Sequence, residues 1–140
     1  LETSGAAAYL VISIKKSHPV QPRTVMCGAW SFAPQFGKIT VVVDYDIDTR
    51  DINAVNWALS FRVQPEKDIV LMPGMAAVSL DPSQAPAEVP QEDMSRRVSS
   101  KIGIDATRKH AFPDVAVPPG EHLELVRKNW KKYGFQENII

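Results

Sequence analysis

The stretch Gly37-Lys-Ile-Thr-Val-Val-Val-Asp-Tyr-Asp-Ile-Asp-Thr-Arg-Asp-Ile-Asn-Ala-Val-Asn-Trp-Ala-Leu-Ser-Phe-Arg62 decides the fold, because it reads without a gap as a strand, an acidic turn and a helix. Residues 39–43 are mostly β-branched and hardly alternate, the pattern of a central strand covered on both faces in a parallel α/β sheet. Asp44, Asp46 and Asp48 break the run. Asp48 or Thr49 is placed to cap the next helix, and Asp51 then falls in its first turn, where the positive helix end favours a carboxylate. Ile52, Val55 and Leu59 recur at helical spacing with Ala58 beside them, so this helix is expected to pack back on the sheet.

Before that stretch, Tyr9-Leu-Val-Ile-Ser-Ile14 is a strand candidate that ends at Lys15, Lys16 and the turn Ser17-His18-Pro19. Pro22 suits the first turn of a helix, and residues 24–32 follow with Val25, Met26, Ala29 and Trp30 on adjacent helical positions. Strand, helix, strand at this spacing makes a βαβ unit, whose crossover is right-handed. After Arg62, residues 64–67 form a turn into a third strand, residues 68–72, closed by Pro73-Gly74. Residues 74–100 show neither period and include prolines at 82, 86 and 90, which predicts a long loop. A short strand follows at residues 102–105, and a last helix spans 120–135 with Leu123, Val126 and Trp130 on one face and Lys128, Lys131 and Lys132 at its basic end. The expected fold class is α/β: a three-layer α/β/α sandwich with a mostly parallel sheet and a C-terminal helix, residues 1–140 as a single domain.

At 140 residues, with 44% hydrophobic and 23% charged side chains, the composition suits one globular core. Sixteen basic and sixteen acidic residues cancel, so no net field draws the chain to nucleic acid or an anionic membrane, and neither partner is expected. No apolar run is long enough to span a bilayer and no signal segment opens the chain, which reads as cytoplasmic. Its one cysteine, Cys27, excludes an intrachain disulfide and a multi-thiolate metal site, and is expected to serve as a small buried apolar residue. Leu1 in place of an initiator methionine suggests a piece of something longer.

The densest chemistry is acidic. Asp44, Asp46, Asp48 and Asp51 could hold a hard cation such as magnesium on a loop after a strand. A calcium loop would need a glycine where Thr49 stands and a distal glutamate where Val55 stands, so capping and turn formation account for these carboxylates better. A dinucleotide turn needs glycines, and aspartates repel a pyrophosphate. His18, His110 and His122 lie in separate segments without metal-ligand spacing, and neither Ser79 nor Cys27 has a nucleophile motif. Read from chemistry alone, this is an α/β domain without a self-contained active site; neither a catalytic residue nor a metal site is assigned to it.

Four pieces in order resemble the carboxy-terminal part of the UbiD family of decarboxylases, which use prenylated FMN. They are Val11-Ile-Ser-Ile-Lys-Lys16; Lys38-Ile-Thr-Val-Val-Val-Asp-Tyr-Asp-Ile-Asp48 with Trp57-Ala-Leu59 and Arg62; Pro73-Gly74 with Leu80-Asp-Pro-Ser83; and Ser100-Lys-Ile-Gly-Ile-Asp-Ala-Thr107. The resemblance implies a carboxy-lyase: reversible, non-oxidative decarboxylation of an aromatic, heteroaromatic or α,β-unsaturated acid. It implies that prenylated FMN, a divalent metal (manganese or magnesium) and potassium are bound mainly by an upstream domain, together with a catalytic arginine and two glutamates that have no match here. This chain alone would then be inactive and would contribute a wall of the active site and an oligomer interface, with the upstream flavin-binding domain, further copies of itself and a small aromatic acid as partners.

By the same resemblance, the loop after Pro73-Gly74 faces the substrate through Val78 and Leu80, whose apolar side chains favour an apolar or aromatic acid. The segment 30–38 approaches the flavin phosphate, which makes Ser31 and Lys38 the cofactor-binding candidates, with Lys15 and Lys16 behind them. The chain departs from the family pattern at Gly5-Ala-Ala-Ala8, where a glycine run is usual, at His110, near the usual place of a tryptophan, and in the proline-rich segment 84–99. The alternative reading is a stand-alone assembly or interaction domain that keeps the fold without the chemistry.

Overall fold

The computed structural model describes residues 8–77, 81, 83, 98–113 and 116–134. The chain divides into two compact units, Leu1–His110 and Ala111–Ile140. In the first, strands β1 (Tyr9–Ile14), β2 (Ile39–Asp44), β3 (Ile69–Ala76) and β4 (Val98–Ala106) form one sheet in the order β1-β2-β4-β3. β1, β2 and β4 are mutually parallel, and β3 runs antiparallel on the edge beside β4. Helices α1 (Gln21–Phe32), α2 (Ile52–Arg62) and the single turn α3 (Pro65–Asp68) connect them. The mixed α/β class and mostly parallel sheet are as the sequence implied.

β2 is the centre. Val41, Val42 and Val43 are fully buried, and alternation sends Val42 toward Met26 and Trp30 of α1 and its two neighbours toward Val55 and Ala58 of α2. At roughly 2 kcal/mol for each buried valine, these three are a major part of what holds the layers together. Pro22 stands in the first turn of α1, and Met26 and Trp30 share its buried stripe four residues apart. The helix comes close to β4 because position 103 lacks a side chain: a Cβ on Gly103 would lie 2.5 Å from Met26 Sδ and 3.0 Å from Trp30. Cys27, expected in the core, is exposed on the outer side of α1.

Several boundaries differ from the sequence reading. Asp51, not Asp48 or Thr49, caps α2: it has the extended backbone of a cap and accepts from the N–H groups of Asn53 at 2.9 Å and Ala54 at 3.2 Å. Asp48 closes the turn before it, accepting from Arg50 N–H at 2.9 Å. Ile52 is exposed because the buried side of α2 is set by Val55, Ala58 and Arg62. β3 does not stop at Pro73-Gly74 but runs on to Ala76 across an irregularity between Met72 and Met75, with Gly74 in the left-handed region. An edge strand tolerates proline, which has no N–H to donate to a ladder. β4 correspondingly starts at Val98, and Met75 and Ala76 pair with Ser99 and Val98. The expected loop over 74–100 is thus shortened at both ends.

Topology explains how the helices differ. α1 joins two parallel strands, so it must travel the length of the sheet. α2 and α3 join β2 to an antiparallel strand, so the connection leaves and re-enters at the same end. Arg62, the last residue of α2, ion-pairs with Asp44, the last residue of β2. Between these ends the helix packs on the sheet as the sequence implied, with Val55 and Ala58 against Val41 and Val43.

In the second unit, the expected helix over 120–135 is shorter. α4 (Gly120–Lys128) ends where the N–H of Asn129 donates back to Leu125 and Val126, and a single 3-10 turn, Lys131–Tyr133, follows up to the left-handed Gly134. Leu123 is half-buried there, while Val126 is exposed. No helix among the described residues is long and apolar enough to cross a membrane.

Candidate functional site

Polar side chains gather at both ends of the sheet. At the amino ends of the parallel strands, α1 turns into β2 through a buried knot: Trp30 Nε1 donates to Gly37 O at 3.1 Å and Thr40 Oγ1 at 3.0 Å, and the Thr40 hydroxyl donates to Gly37 O at 3.0 Å. Gly37 has φ 65 and a Cβ there would stand 2.7 Å from Thr40 Oγ1, so both backbone and space select glycine. Buried Lys101 reaches the same turn and donates to Phe36 O. Among the described residues no carboxylate bonds to its ammonium, and burial pushes the pKa of Lys101 down.

Lys38 leaves this knot and donates to Asp81 Oδ2 at 2.8 Å and Ser83 Oγ at 2.5 Å. Asp81 Oδ1 accepts from Ser83 N–H at 3.0 Å, an Asx-type closure that makes Asp81 and Ser83 one turn. The Lys38 ammonium holds the Asp81 carboxyl below its ordinary range, with Ser83 assisting. The structure therefore joins Lys38 to the segment beyond β3. Ser31 is exposed in the last turn of α1 and is not among the partners of Lys38. Val78 and Leu80 lie outside the described residues; their neighbours Ala77, which is buried, and Asp81 are placed.

At the carboxyl ends, the aspartates that suggested a cation meet arginines and lysines. Arg62, almost wholly buried, pairs with Asp46 through both terminal nitrogens at 3.0 and 2.8 Å and with Asp44 at 3.4 Å. Its guanidinium lies 5.1 Å from the Trp57 ring centre. Asp44 also accepts from the Arg108 N–H at 2.6 Å, and Arg108 Nη2 reaches Asp46 at 2.8 Å. The Arg62 hydrogen bond, more than any other cause, holds the Asp46 carboxyl below its ordinary range. Lys109 sits between Asp68 at 3.1 Å and Asp105 at 3.4 Å, and Lys16 donates to Thr107 Oγ1 at 2.9 Å. Among the described residues no three His, Cys, Asp or Glu side chains converge as a metal site would require. Sequence reading found these aspartates but not their partners, because Arg108 lies 64 residues from Asp44; the available signal was Arg62, one turn beyond the buried stripe of a helix that follows an Asp-x-Asp turn.

Residues 1–106 match the family model of the 3-octaprenyl-4-hydroxybenzoate carboxy-lyase C-terminal domain, UbiD_C. An uncharacterized protein of Aeropyrum pernix is 33% identical over 131 residues, 88% of this chain and 25% of that protein. Another from Archaeoglobus fulgidus is 34% identical over 130 residues, 87% of this chain and 25% of its own length. Among solved structures, the UbiD-class enzyme HmfF from Pelotomaculum thermopropionicum in complex with FMN superposes with a TM-score of 0.66 at 28% identity, covering 86% of this chain and 26% of that one. The closed form of vanillic acid decarboxylase from Sedimentibacter hydroxybenzoicus superposes at 0.65 with 25% identity, covering 91% and 26%. The chain thus spans about a quarter of the length of its relatives. With the order of its motifs, its sheet and these matches in agreement, the chain belongs to the UbiD family and corresponds to the carboxy-terminal domain of its carboxy-lyases.

Proposed function

We propose that the chain is the carboxy-terminal fragment or subunit of a cytoplasmic UbiD-like decarboxylase that reversibly and non-oxidatively removes CO2 from an aromatic or α,β-unsaturated carboxylic acid. The match of residues 1–106 to a carboxy-lyase domain supports this reading. In it, the chain contributes one wall of the active site and an oligomer interface, while prenylated FMN, a divalent metal and potassium are held mainly by the upstream flavin-binding portion. When bound, the flavin supplies the electron-accepting chemistry that decarboxylation needs.

The residues here fit a peripheral contact to such a cofactor. Lys38 is a one-third exposed ammonium whose position is fixed by the Gly37 turn, and it can share its remaining donor capacity with a phosphate oxygen. Asp81 and Ser83 already take part of that capacity, so the contact is one of orientation more than of affinity. Ser31 adds an exposed hydroxyl on the preceding helix. Val78 and Leu80, in the segment whose Asp81 is tied to Lys38, supply the apolar wall that an aromatic acid would meet.

The test is to combine this chain with the flavin-binding portion from the same source and follow CO2 release from aromatic acids. Activity in the complete enzyme, with none from either part alone, is the expected result. Decarboxylation by this chain alone would overturn the missing-domain reading, and stable association without turnover under any substrate would favour the non-catalytic assembly domain instead.

A further inference from the structure

α2 packs over Val41 and Val43, and at the amino end of the same face the described residues go from half-buried Tyr9 and Ile102 to exposed Ile39 and Leu71. The strand register identifies what lies there. Tyr9 pairs with Ile39, Ile39 with Ile102, and Ile102 with Leu71, so these four side chains form one row across all four strands, on the same face as Val41 and Val43. Val41 in the next row is completely buried beneath α2, whereas Leu71 is 68% exposed and Ile39 39%. Ile69, one pleat along from Leu71, is 37% exposed. No residue of the row bears a formal charge.

We propose that the row Tyr9–Ile39–Ile102–Leu71 is the surface on which the flavin-binding portion of the enzyme docks. This rests on the reading of the chain as the carboxy-terminal part of a longer enzyme. Two observations select that occupant over a second copy. The relatives are four times as long as the part matched, so some three quarters of such an enzyme lies outside the part described here. Any polypeptide arriving from upstream reaches the sheet at this row, since Ala8 O accepts from Ile39 N–H at 2.9 Å and Tyr9 is the first residue of β1. The row is also at the end of the sheet where Lys38 and Asp81 lie, so docking there brings the flavin-binding portion beside them. A flat apolar row suits an apolar complement, and a charge placed in it costs the interface heavily.

The test uses the complete enzyme, as one polypeptide or two. A photoreactive p-benzoylphenylalanine replacing Leu71 is expected to cross-link to peptides of the flavin-binding portion, while the same group replacing Val20, which is 62% exposed and follows the carboxyl end of β1, is not. Leu71→Asp is expected to weaken association of the two portions by about tenfold or more while leaving the far-ultraviolet circular dichroism and melting of this chain unchanged, as fits an exposed edge position. Cross-links from position 71 that fall on a second copy or on residues 111–140, or association unaffected by Leu71→Asp, would overturn the assignment. If the unmodified portions do not associate at all, it is the reading of the chain as part of a decarboxylase that fails.

Discussion

The two long helices of the first unit do different jobs although each follows a strand. α1 leads to a parallel strand and covers its face of the sheet by shape: Met26 and Trp30 fill the space left by Gly103, and Val42 closes the layer. α2 leads toward an antiparallel strand and adds charge to its packing: Val55 and Ala58 lie against Val41 and Val43, Arg62 is clamped on Asp44 and Asp46, and Asp51 caps its start. The comparison teaches that two helices can be fixed to one sheet by different anchors, one by a close approach at a glycine and the other by a charged clamp at its last residue.

Substitutions separate the two modes of attachment. Arg62→Met should have the largest effect, about 3 kcal/mol of lost stability in urea unfolding, because it strands buried Asp44 without its cation. A loss below that of an ordinary surface ion pair would show that the network does not hold α2. On the other face, Gly103→Ala should cost about 2 kcal/mol by overpacking, moderated by the flexible Met26 side chain; Gly103→Ala combined with Met26→Ala should recover part of it, which a purely backbone effect would not allow. Asp51→Ala should cost about 1 kcal/mol by removing the cap of α2, and Asp51→Ser should restore most of that.

The smallest effect is a pH dependence on the α1 side. The pKa of Lys101 is lowered by burial, so as pH rises toward 10.5 the folded chain loses this proton before the unfolded chain does. The unfolded state then binds more protons, and stability from this group rises with pH through the window below 10.5. Lys101→Met should flatten that rise relative to the parent protein, as read from stability curves at alkaline pH below 10.5. Identical slopes for the two proteins would mean that the ammonium is not desolvated in the fold.

Much of this was legible in the sequence because it rests on local pattern. Residues 39–43 announced a doubly covered strand, and Met26 and Trp30 announced the buried stripe of α1. What could not be read was direction and long-range pairing. Nothing local marks β3 as antiparallel, and although α2 packs on the sheet through Val55 and Ala58 as its spacing implied, Ile52, counted with them, is exposed. Pro73-Gly74 has the chemistry of a strand end, yet on an edge it is absorbed as an irregularity within β3. At the candidate site, resemblance made Lys38 a candidate for cofactor binding, but its tie to Asp81 crosses 43 residues and has no local signature. Cys27 shows the limit of composition, since a lone thiol says nothing about which side of its helix it occupies.

Pro73 also governs what the edge of the sheet can become. Exposed strand edges offer a row of free N–H and C=O groups that recruits other strands, the first step of cross-β growth. Beside exposed Ile69 and Leu71, β3 would be such a template, but a residue with no N–H, followed by a left-handed glycine, interrupts the ladder at its middle. The sheet therefore keeps exposed apolar side chains on its face while its edge offers a broken backbone ladder.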